Sequence, residues 1–510
     1  MGSIARRVAL GSIWLSTGQL LSTLVAFIGS IVVARLLSPD EYGLIGVALI
    51  FPGILPGLLD FGLSTALIRF TPLDNGRGYI STALTFRTST ALIAATTLYA
   101  FSDYMATLLA RPYVAPMIRV LSIYVFGFML VEALRSVLVG AGEYGKVAFI
   151  DILRNVLRVA VSASLILAGL GVYGAVWGFA VTSAGVLALS LSLLPRSLRA
   201  FGFDAKAFRE LMTYSLPLYV PVVLGLPLAK AVDIYLARHA TNFELGSYSV
   251  ASNLLTPLGI IGGALATSIF SSLLLLLGNK ARLREAVVKA TIYTSTIVLP
   301  VSYALIVFSK PLVYVIYGAK YGYAPTYLSL MALVGLLAPL GSYVIGSYLN
   351  TVGATRKTME INLVHLAVYI LLATALIPRY SVAGVILSNL AASFSSTLYG
   401  IHLLCKEFSL VILTKRNILL LTWLSVPAIT SALGMRLLPI SIEIKTVIGV
   451  STYLTTLAIV LPTALRKEEM IELNNTVKEI KVLNMVAPKI FQILLEISRI
   501  QDTIKSKIAG

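Results

Sequence analysis

Long apolar runs separated by short polar breaks dominate this chain. The first run, Gly11–Ala34, contains no charged residue and exceeds the roughly 20 residues that a helix needs to cross the hydrocarbon core. A second run ends near Phe70 and carries Asp60 and Arg69 toward its far end. Strands of a membrane barrel would instead alternate over about ten residues. The pattern therefore predicts membrane-spanning helices.

Taken in order, the runs predict an all-α integral membrane protein with about fourteen transmembrane helices. Their approximate ranges are 10–34, 43–66, 80–101, 115–139, 150–170, 172–194, 213–237, 245–276, 290–309, 326–349, 359–377, 382–404, 417–438 and 446–465.

Composition supports this interpretation and changes the meaning of the charge. The 510 residues are 58% hydrophobic and 12% charged, whereas soluble domains carry about 25% charged residues. With the N-terminus in the cytoplasm, most lysines and arginines fall in cytoplasmic segments, as the positive-inside rule requires. The net charge of +18 then reports topology, and nucleic acid is not predicted as a partner. We expect a multi-pass protein of the cell membrane with both termini cytoplasmic.

The chain also contains an internal repeat. IVVARLLSPDEYGLIGVA (Ile31–Ala48) aligns without gaps on IYLARHATNFELGSYSVA (Ile234–Ala251), and a weaker match pairs GAGEYGK (Gly140–Lys146) with TVGATRK (Thr351–Lys357). In each match, the two aligned segments occupy the same place in two successive units of six predicted helices. An even number of crossings leaves both units in one orientation, so a pseudo-twofold axis along the membrane normal is expected. The first match has seven identities in 18 positions: Ile31/Ile234, Ala34/Ala237, Arg35/Arg238, Glu41/Glu244, Gly43/Gly246, Val47/Val250 and Ala48/Ala251.

This repeat predicts the domain organisation. The predicted parts are an N-lobe at 1–195, a cytoplasmic linker at 196–212, a C-lobe at 213–405, an extra helix pair at 406–465, and a cytoplasmic tail with an amphipathic helix at 466–510.

Several charged residues fall within the predicted helices of the N-lobe. An ionisable side chain at membrane depth costs on the order of 2.5–3.5 kcal/mol on insertion scales and usually faces a cavity. Glu132 and Arg135, and likewise Asp151 and Arg154, are spaced three residues apart and share a helix face. Arginine is suited to a forked grip on phosphate. The predicted substrate-binding residues of a cationic cavity are Arg87, Arg135, Arg154, Arg158 and Lys230, with Asp60, Glu132 and Asp233 as ion-coupling residues. Packing ion pairs and snorkelling arginines are the alternative.

Motifs for chemistry are scarce. GAGEYGK fits G-x-x-x-x-G-K, but Val147 stands where a magnesium-binding hydroxyl is needed. With one cysteine and three scattered histidines, no metal site and no cofactor are predicted. A membrane glycosyltransferase or ligase would need a substantial outside loop, and the predicted outside loops are short. A transporter is therefore predicted rather than an enzyme.

Three N-terminal segments resemble a known family. GSIWLSTGQLLS (Gly11–Ser22), ARLLSPDEYGL (Ala34–Leu44) and LLDFGLSTALIR (Leu58–Arg69) are similar to polysaccharide-repeat-unit flippases of the multidrug/oligosaccharidyl-lipid/polysaccharide exporter superfamily. The resemblance implies two six-helix bundles with extra helices. Only one substrate-binding residue, Arg69, is predicted from the family's motif.

The resemblance also implies a function. Members of the family move polyprenyl-phosphate- or pyrophosphate-linked oligosaccharides from the inner to the outer leaflet by alternating access. The expected partners are a lipid-linked oligosaccharide and membrane lipid, and a coupling cation is left open. The alternative is a cation-coupled multidrug exporter on the same fold, which would favour an acidic, aromatic cavity.

Overall fold

The computed structural model describes residues 2–73, 76–195, 202–437, 441–464 and 471. Every regular element among them is helical, which confirms the predicted all-α class. Nine helices of this part of the chain are long and apolar enough to cross a membrane, or ten if the bent pair Ala324–Leu340 and Ile345–Thr351 is one span. The count of fourteen is not confirmed.

The chain divides into two compact units. The first comprises Met1–Asn253, Ile316–Gly322 and Ile377–Val382. Its core contains Leu67, Ile80 and Leu134, all at most 2% exposed. The helices that lie wholly within it are α1 (Gly2–Leu36), α2 (Pro39–Ala48), α3 (Ile50–Leu58), α4 (Leu63–Phe70), α5 (Gly76–Ala100), α6 (Ser102–Leu108), α7 (Ala115–Gly140), α8 (Tyr144–Leu165), α9 (Gly171–Leu193) and α10 (Ala205–His239).

The second unit comprises Leu254–Val315, Tyr323–Leu376 and Ala383–Gly510. Leu299 and Leu424 lie in one of its buried apolar clusters, and Leu349 and Leu404 lie in another. Continuing in chain order, the helices are α11 (Asn242–Leu274), α12 (Lys280–Val307), α13 (Ser309–Tyr317), α14 (Ala324–Ala332), α15 (Ile345–Thr351), α16 (Thr355–Phe408), α17 (Lys415–Trp423), α18 (Val426–Leu437) and α19 (Ile442–Ala464).

Two of the long apolar segments are helix pairs rather than single helices. Between α8 and α9 the backbone leaves helical geometry, with φ of 92° at Gly169 and 52° at Gly171. Within α16 the same happens at Ser381, with φ of 52°. Tyr399 donates a hydrogen bond to Glu360, and Ser393 and His365 are hydrogen-bonded to each other. The two parts of α16 on either side of Ser381 therefore run antiparallel. These breaks match the predicted boundaries at 170–172 and 377–382.

The second predicted helix, 43–66, is not continuous. The structure divides it into α2, α3 and the start of α4. Phe61 and Gly62 have φ of 51° and 70°, a region that favours glycine. A side chain at Gly62 would also meet the Ser215 carbonyl at 2.7 Å. Apolar periodicity does not reveal such a turn, because both sides of it remain apolar.

The predicted lobe boundaries remain a prediction. Helix α10 begins at Ala205, so the second part of the expected linker is the first turns of a helix. Residues 196–201 of that linker lie outside the described residues, as does the predicted amphipathic helix of the tail.

The repeat reappears as local geometry. Ser38 and Glu41 form a capping box at the start of α2: the Ser38 amide donates to the Glu41 carboxylate at 2.9 Å, and the Glu41 amide donates to Ser38 Oγ at 3.3 Å. The aligned residues Thr241 and Glu244 form the same bonds at 2.8 and 3.2 Å. Capping boxes satisfy amides that a helix start would leave unpaired. The aligned sequences therefore build the same helix start twice.

The weaker sequence match is also reproduced. Gly142 and Gly353, which align, have φ of 76° and 78°. Each is followed by a helix that begins two residues later, at Tyr144 and at Thr355. Two unrelated apolar segments would not be expected to share both the turn and the helix start.

Candidate functional site

The charged residues of α7 and α8 form a network across the two helices. Nε of Arg135 donates to both carboxylate oxygens of Asp151, at 3.1 and 3.0 Å. Nη1 of Arg154 donates to Glu132 at 2.6 Å, and its Nη2 lies 3.6 Å from Asp151. From the sequence, Glu132 and Arg135 share one helix face and Asp151 and Arg154 share another, with packing ion pairs as the alternative to a role in substrate binding. In the structure the two closest pairs join the helices, and the contact of Arg154 with Asp151 on the same helix is the longest of the network.

The reason for this pairing is the register of an antiparallel hairpin. The chain turns between α7 and α8 around Glu143. Arg135 and Asp151 each lie eight residues from Glu143, and Glu132 and Arg154 each lie eleven residues from it. Residues equally distant from a tight turn face each other across the two arms. Each carboxylate is therefore next to an arginine of the other helix.

Arg158 differs from the other two arginines. Its Nη2 donates to Asn155 Oδ1 at 3.1 Å, and its guanidinium carbon lies 5.0 Å from the centre of the Phe179 ring, within the range of a cation–π contact. Among the described residues, no carboxylate lies within ion-pair distance of Arg158. It is the one arginine of the network without an acidic partner there.

Asn155 and Ser22 fix this arrangement against α1. The Asn155 amide donates to Ser22 Oγ at 2.7 Å, and Ser22 Oγ donates to the Asp151 carbonyl at 3.0 Å. Asn155 has only its carbonyl oxygen left for Arg158. The guanidinium thus takes its position from a chain of neutral hydrogen bonds.

Two cavities meet at these side chains. A cavity of about 350 Å³ lies over the ion pairs, and a smaller one of about 170 Å³ lies beside Arg158. Arg154 and Asn155 line both. The larger cavity is lined by Gln19, Ser22, Thr23, Ala26, Glu132, Arg135, Asp151, Arg154 and Asn155, and the smaller by Tyr124, Phe128, Val131, Arg154, Asn155, Arg158, Phe179, Thr182, Ser183 and Val186.

Arg87 lines neither of these cavities and is held by an ion pair and two hydrogen bonds. Its side chain is 3% exposed and its Nη1 lies 3.1 Å from Asp60. Nε donates to the Met129 carbonyl and Nη1 to the Leu59 carbonyl, both at 3.1 Å. The carboxylate also accepts from Ser64 at 2.6 Å. An arginine held in this way is suited to joining α3, α5 and α7.

The remaining predicted residues do not line either cavity. Arg69 is exposed, with its guanidinium 4.4 Å from the centre of the Tyr214 ring. Lys230 and Asp233 pair with each other on α10 at 2.7 Å. The structure therefore brings together Glu132, Arg135, Arg154 and Arg158 of the predicted set.

Sequence reasoning missed the neutral and aromatic part of the site. Asn155 lies between Arg154 and Arg158 on α8, and Tyr124, Phe128 and Phe179 supply rings. One signal was present: Tyr124, Phe128, Glu132 and Arg135 recur at helical spacing along α7 and so share one face.

The fold and the site define a multi-pass membrane protein with a charged cavity inside a helical bundle. The chain belongs to the family described as polysaccharide biosynthesis protein, whose model matches residues 32–324, more than half of its length. This confirms the family resemblance found in the N-terminal segments.

Solved structures show the same fold. A lipid II flippase MurJ in an inward closed conformation is 16% identical and superposes with a TM-score of 0.69, covering 89% of this chain and 100% of that one. An inward-facing multidrug resistance MATE family transporter of the MOP superfamily is 15% identical, with a TM-score of 0.58 and coverage of 76% and 97%. A MOP superfamily transporter from Pyrococcus furiosus is 19% identical, with a TM-score of 0.53 and coverage of 77% and 94%. No curated protein matches the sequence.

Proposed function

We propose that this protein is a flippase of the cell membrane that moves polyprenyl-linked oligosaccharide phosphates from the inner to the outer leaflet. Transport by alternating access leaves the substrate chemically unchanged, so no enzymatic step is proposed. The family assignment and the fold shared with a lipid II flippase support this proposal.

The observation that carries the proposal is the environment of Arg158. Its guanidinium has a neutral partner, Asn155, and lines a cavity beside Arg154. Guanidinium groups bind phosphate oxygens with paired, charge-assisted hydrogen bonds. The rings of Tyr124, Phe128 and Phe179 line the same cavity, and Phe128 and Phe179 lie against the guanidinium groups of Arg154 and Arg158. A cavity of this kind replaces the water around an anionic sugar head group.

A cation-coupled multidrug exporter is less well supported. Such a protein needs a carboxylate that is free to bind a cation. The three predicted ion-coupling residues, Asp60, Glu132 and Asp233, are paired with Arg87, Arg154 and Lys230 respectively. The protein therefore shares its fold with multidrug transporters, but these three residues do not supply a free carboxylate for a coupling cation.

Replacing Arg158 tests the proposal. We expect Arg158→Gln to reduce transport of a fluorescent polyprenyl-phosphate sugar about ten- to a hundredfold, because a hydrogen bond to a charged group contributes about 1.5–3 kcal/mol. The measurement is protection of the fluorescent head group from a membrane-impermeant quencher in proteoliposomes. Arg356→Gln is the matched control, since Arg356 is 87% exposed. Unchanged transport by a folded Arg158→Gln protein would contradict the proposal, and drug efflux by it would favour the exporter.

The proposed orientation has its own test. The single cysteine, Cys405, is exposed near the end of α16, on the side that the positive-inside rule assigns to the cytoplasm. A membrane-impermeant maleimide is expected to label inverted vesicles and not right-side-out vesicles, with Cys405→Ser as the blank. Labelling of right-side-out vesicles alone would reverse the topology.

A further inference from the structure

We infer that the site selects a carrier lipid joined to its sugar through one phosphate over a carrier joined through a diphosphate. The inference rests on the proposed function and names the substrate class of the same site. A monophosphate diester carries one negative charge in its linkage, whereas a diphosphate diester carries two. The number of uncompensated positive charges in the site therefore decides between them.

Among the residues that the structure describes, the charges that line the two cavities come to a single excess positive charge. Three arginines, Arg135, Arg154 and Arg158, face two carboxylates, Glu132 and Asp151. The lining residues from α1 and α9 are all uncharged. The nearby pair of Arg87 and Asp60 is neutral as a unit, so it does not alter the balance.

The geometry assigns that excess charge to Arg158. Asp151 is 6% exposed and lies within reach of both Arg135 and Arg154. Glu132 holds Arg154 at 2.6 Å. A phosphate beside Arg158 compensates the remaining charge without breaking any of these ion pairs.

A second negative charge would have to compete with Glu132 or Asp151 for an arginine. Separating a partly buried ion pair is costly, because it leaves a charge poorly compensated; the Asp151 side chain is 6% exposed, and those of Arg154 and Glu132 are 26% and 25% exposed. The cavity beside Arg158 is also the smaller of the two, with about 170 Å³ against about 350 Å³ over the ion pairs. A diphosphate beside Arg158 would bring its second phosphate toward the larger cavity, which the carboxylates of Glu132 and Asp151 line.

The test compares two probes that share the lipid and the fluorescent sugar and differ only in a mono- or diphosphate linkage. In proteoliposomes we expect the wild-type protein to transport the monophosphate probe at least about tenfold faster. Glu132→Gln leaves Arg154 without its closest carboxylate and adds one positive charge to the site. We expect it to shift the ratio of the two rates toward the diphosphate probe by at least about tenfold.

Glu143→Gln is the matched control, because Glu143 pairs with Lys146 and lines neither cavity; it should keep the wild-type ratio. Faster transport of the diphosphate probe by the wild-type protein would overturn the inference and leave the flippase proposal standing. An unchanged ratio in a folded Glu132→Gln protein would also overturn it. If neither probe is transported, the proposed function itself fails. The wild-type ratio decides the matter even if the Glu132 variant does not fold.

Discussion

Replacing Asp60 with asparagine is expected to lower the free energy of unfolding by about 3–5 kcal/mol, the usual cost of removing one partner of a buried ion pair. The variant leaves the Arg87 guanidinium in the interior without its carboxylate. Arg87 is 3% exposed, so its guanidinium has little access to water once the carboxylate is lost. The measurement is the thermal or denaturant unfolding of the purified protein in detergent.

Two further variants make this result specific. Asp103→Asn changes the same residue type in an exposed pair with Arg119, where the side chains are 72% and 41% exposed; it should cost at most about 1 kcal/mol. In the double variant Asp60→Asn/Arg87→Gln the unpaired charge is gone, so it should be more stable than the sum of the single effects predicts. Additive effects in this double-mutant cycle would show that the pair does not stabilise the fold.

The outcome bears on which arginines bind substrate. From the sequence, Arg87 is as good a candidate for binding substrate as Arg154 or Arg158, because all three lie within predicted membrane helices. In the structure the turn at Phe61 and Gly62 gives Arg87 protein partners. It directs the Leu59 carbonyl and the Asp60 carboxylate at Arg87. A left-handed turn inside an apolar run leaves no periodic signal, so this contact was beyond sequence reasoning.

Several helix boundaries, by contrast, follow from the sequence. The predicted range 115–139 is observed as Ala115–Gly140, and 172–194 as Gly171–Leu193. In lipid, backbone polar groups must be satisfied within the segment, so the length of an apolar run fixes the length of a helix. The start of α10 at Ala205 was missed because its first turns are polar.

The site was predicted in its residue types and not in its partners. Spacing along one helix shows which residues share a face, and it favoured Glu132 with Arg135. Partners across two helices depend on where the chain turns. The positive φ of Gly142, 76°, places that turn, and from it the pairing of Arg135 with Asp151 follows. The motif that contains Gly142 has the glycine and lysine spacing of a phosphate loop, but in the structure it forms the turn that sets this register.

The repeat has a consequence that the alignment alone did not show: its equivalent glycines are in contact. A Cβ added to Gly43 would lie 2.0 Å from the Asn242 carbonyl oxygen, and one added to Gly246 would lie 2.1 Å from the Pro39 carbonyl oxygen. The starts of α2 and α11 thus cross at the two aligned positions. Arg111 holds the start of α11 in place by donating to Asn242 Oδ1 at 2.6 Å.

Gly43→Ala and Gly246→Ala are therefore each expected to destabilise the protein by about 3 kcal/mol or more, at the upper end of the cost of overpacking. The clashing atoms belong to the backbone, so no change of rotamer relieves them, and the two helix starts must separate.

Gly53→Ala is the matched control: Gly53 lies in α3 with open space around its Cα, and alanine there should be neutral or stabilising by about 0.5–1 kcal/mol. The measurement is the unfolding midpoint of each variant in detergent. Because the two crossings are equivalent, the two glycine variants should have similar effects. If only one of them destabilises the protein, the two crossings do not contribute equally to stability, and this prediction is wrong.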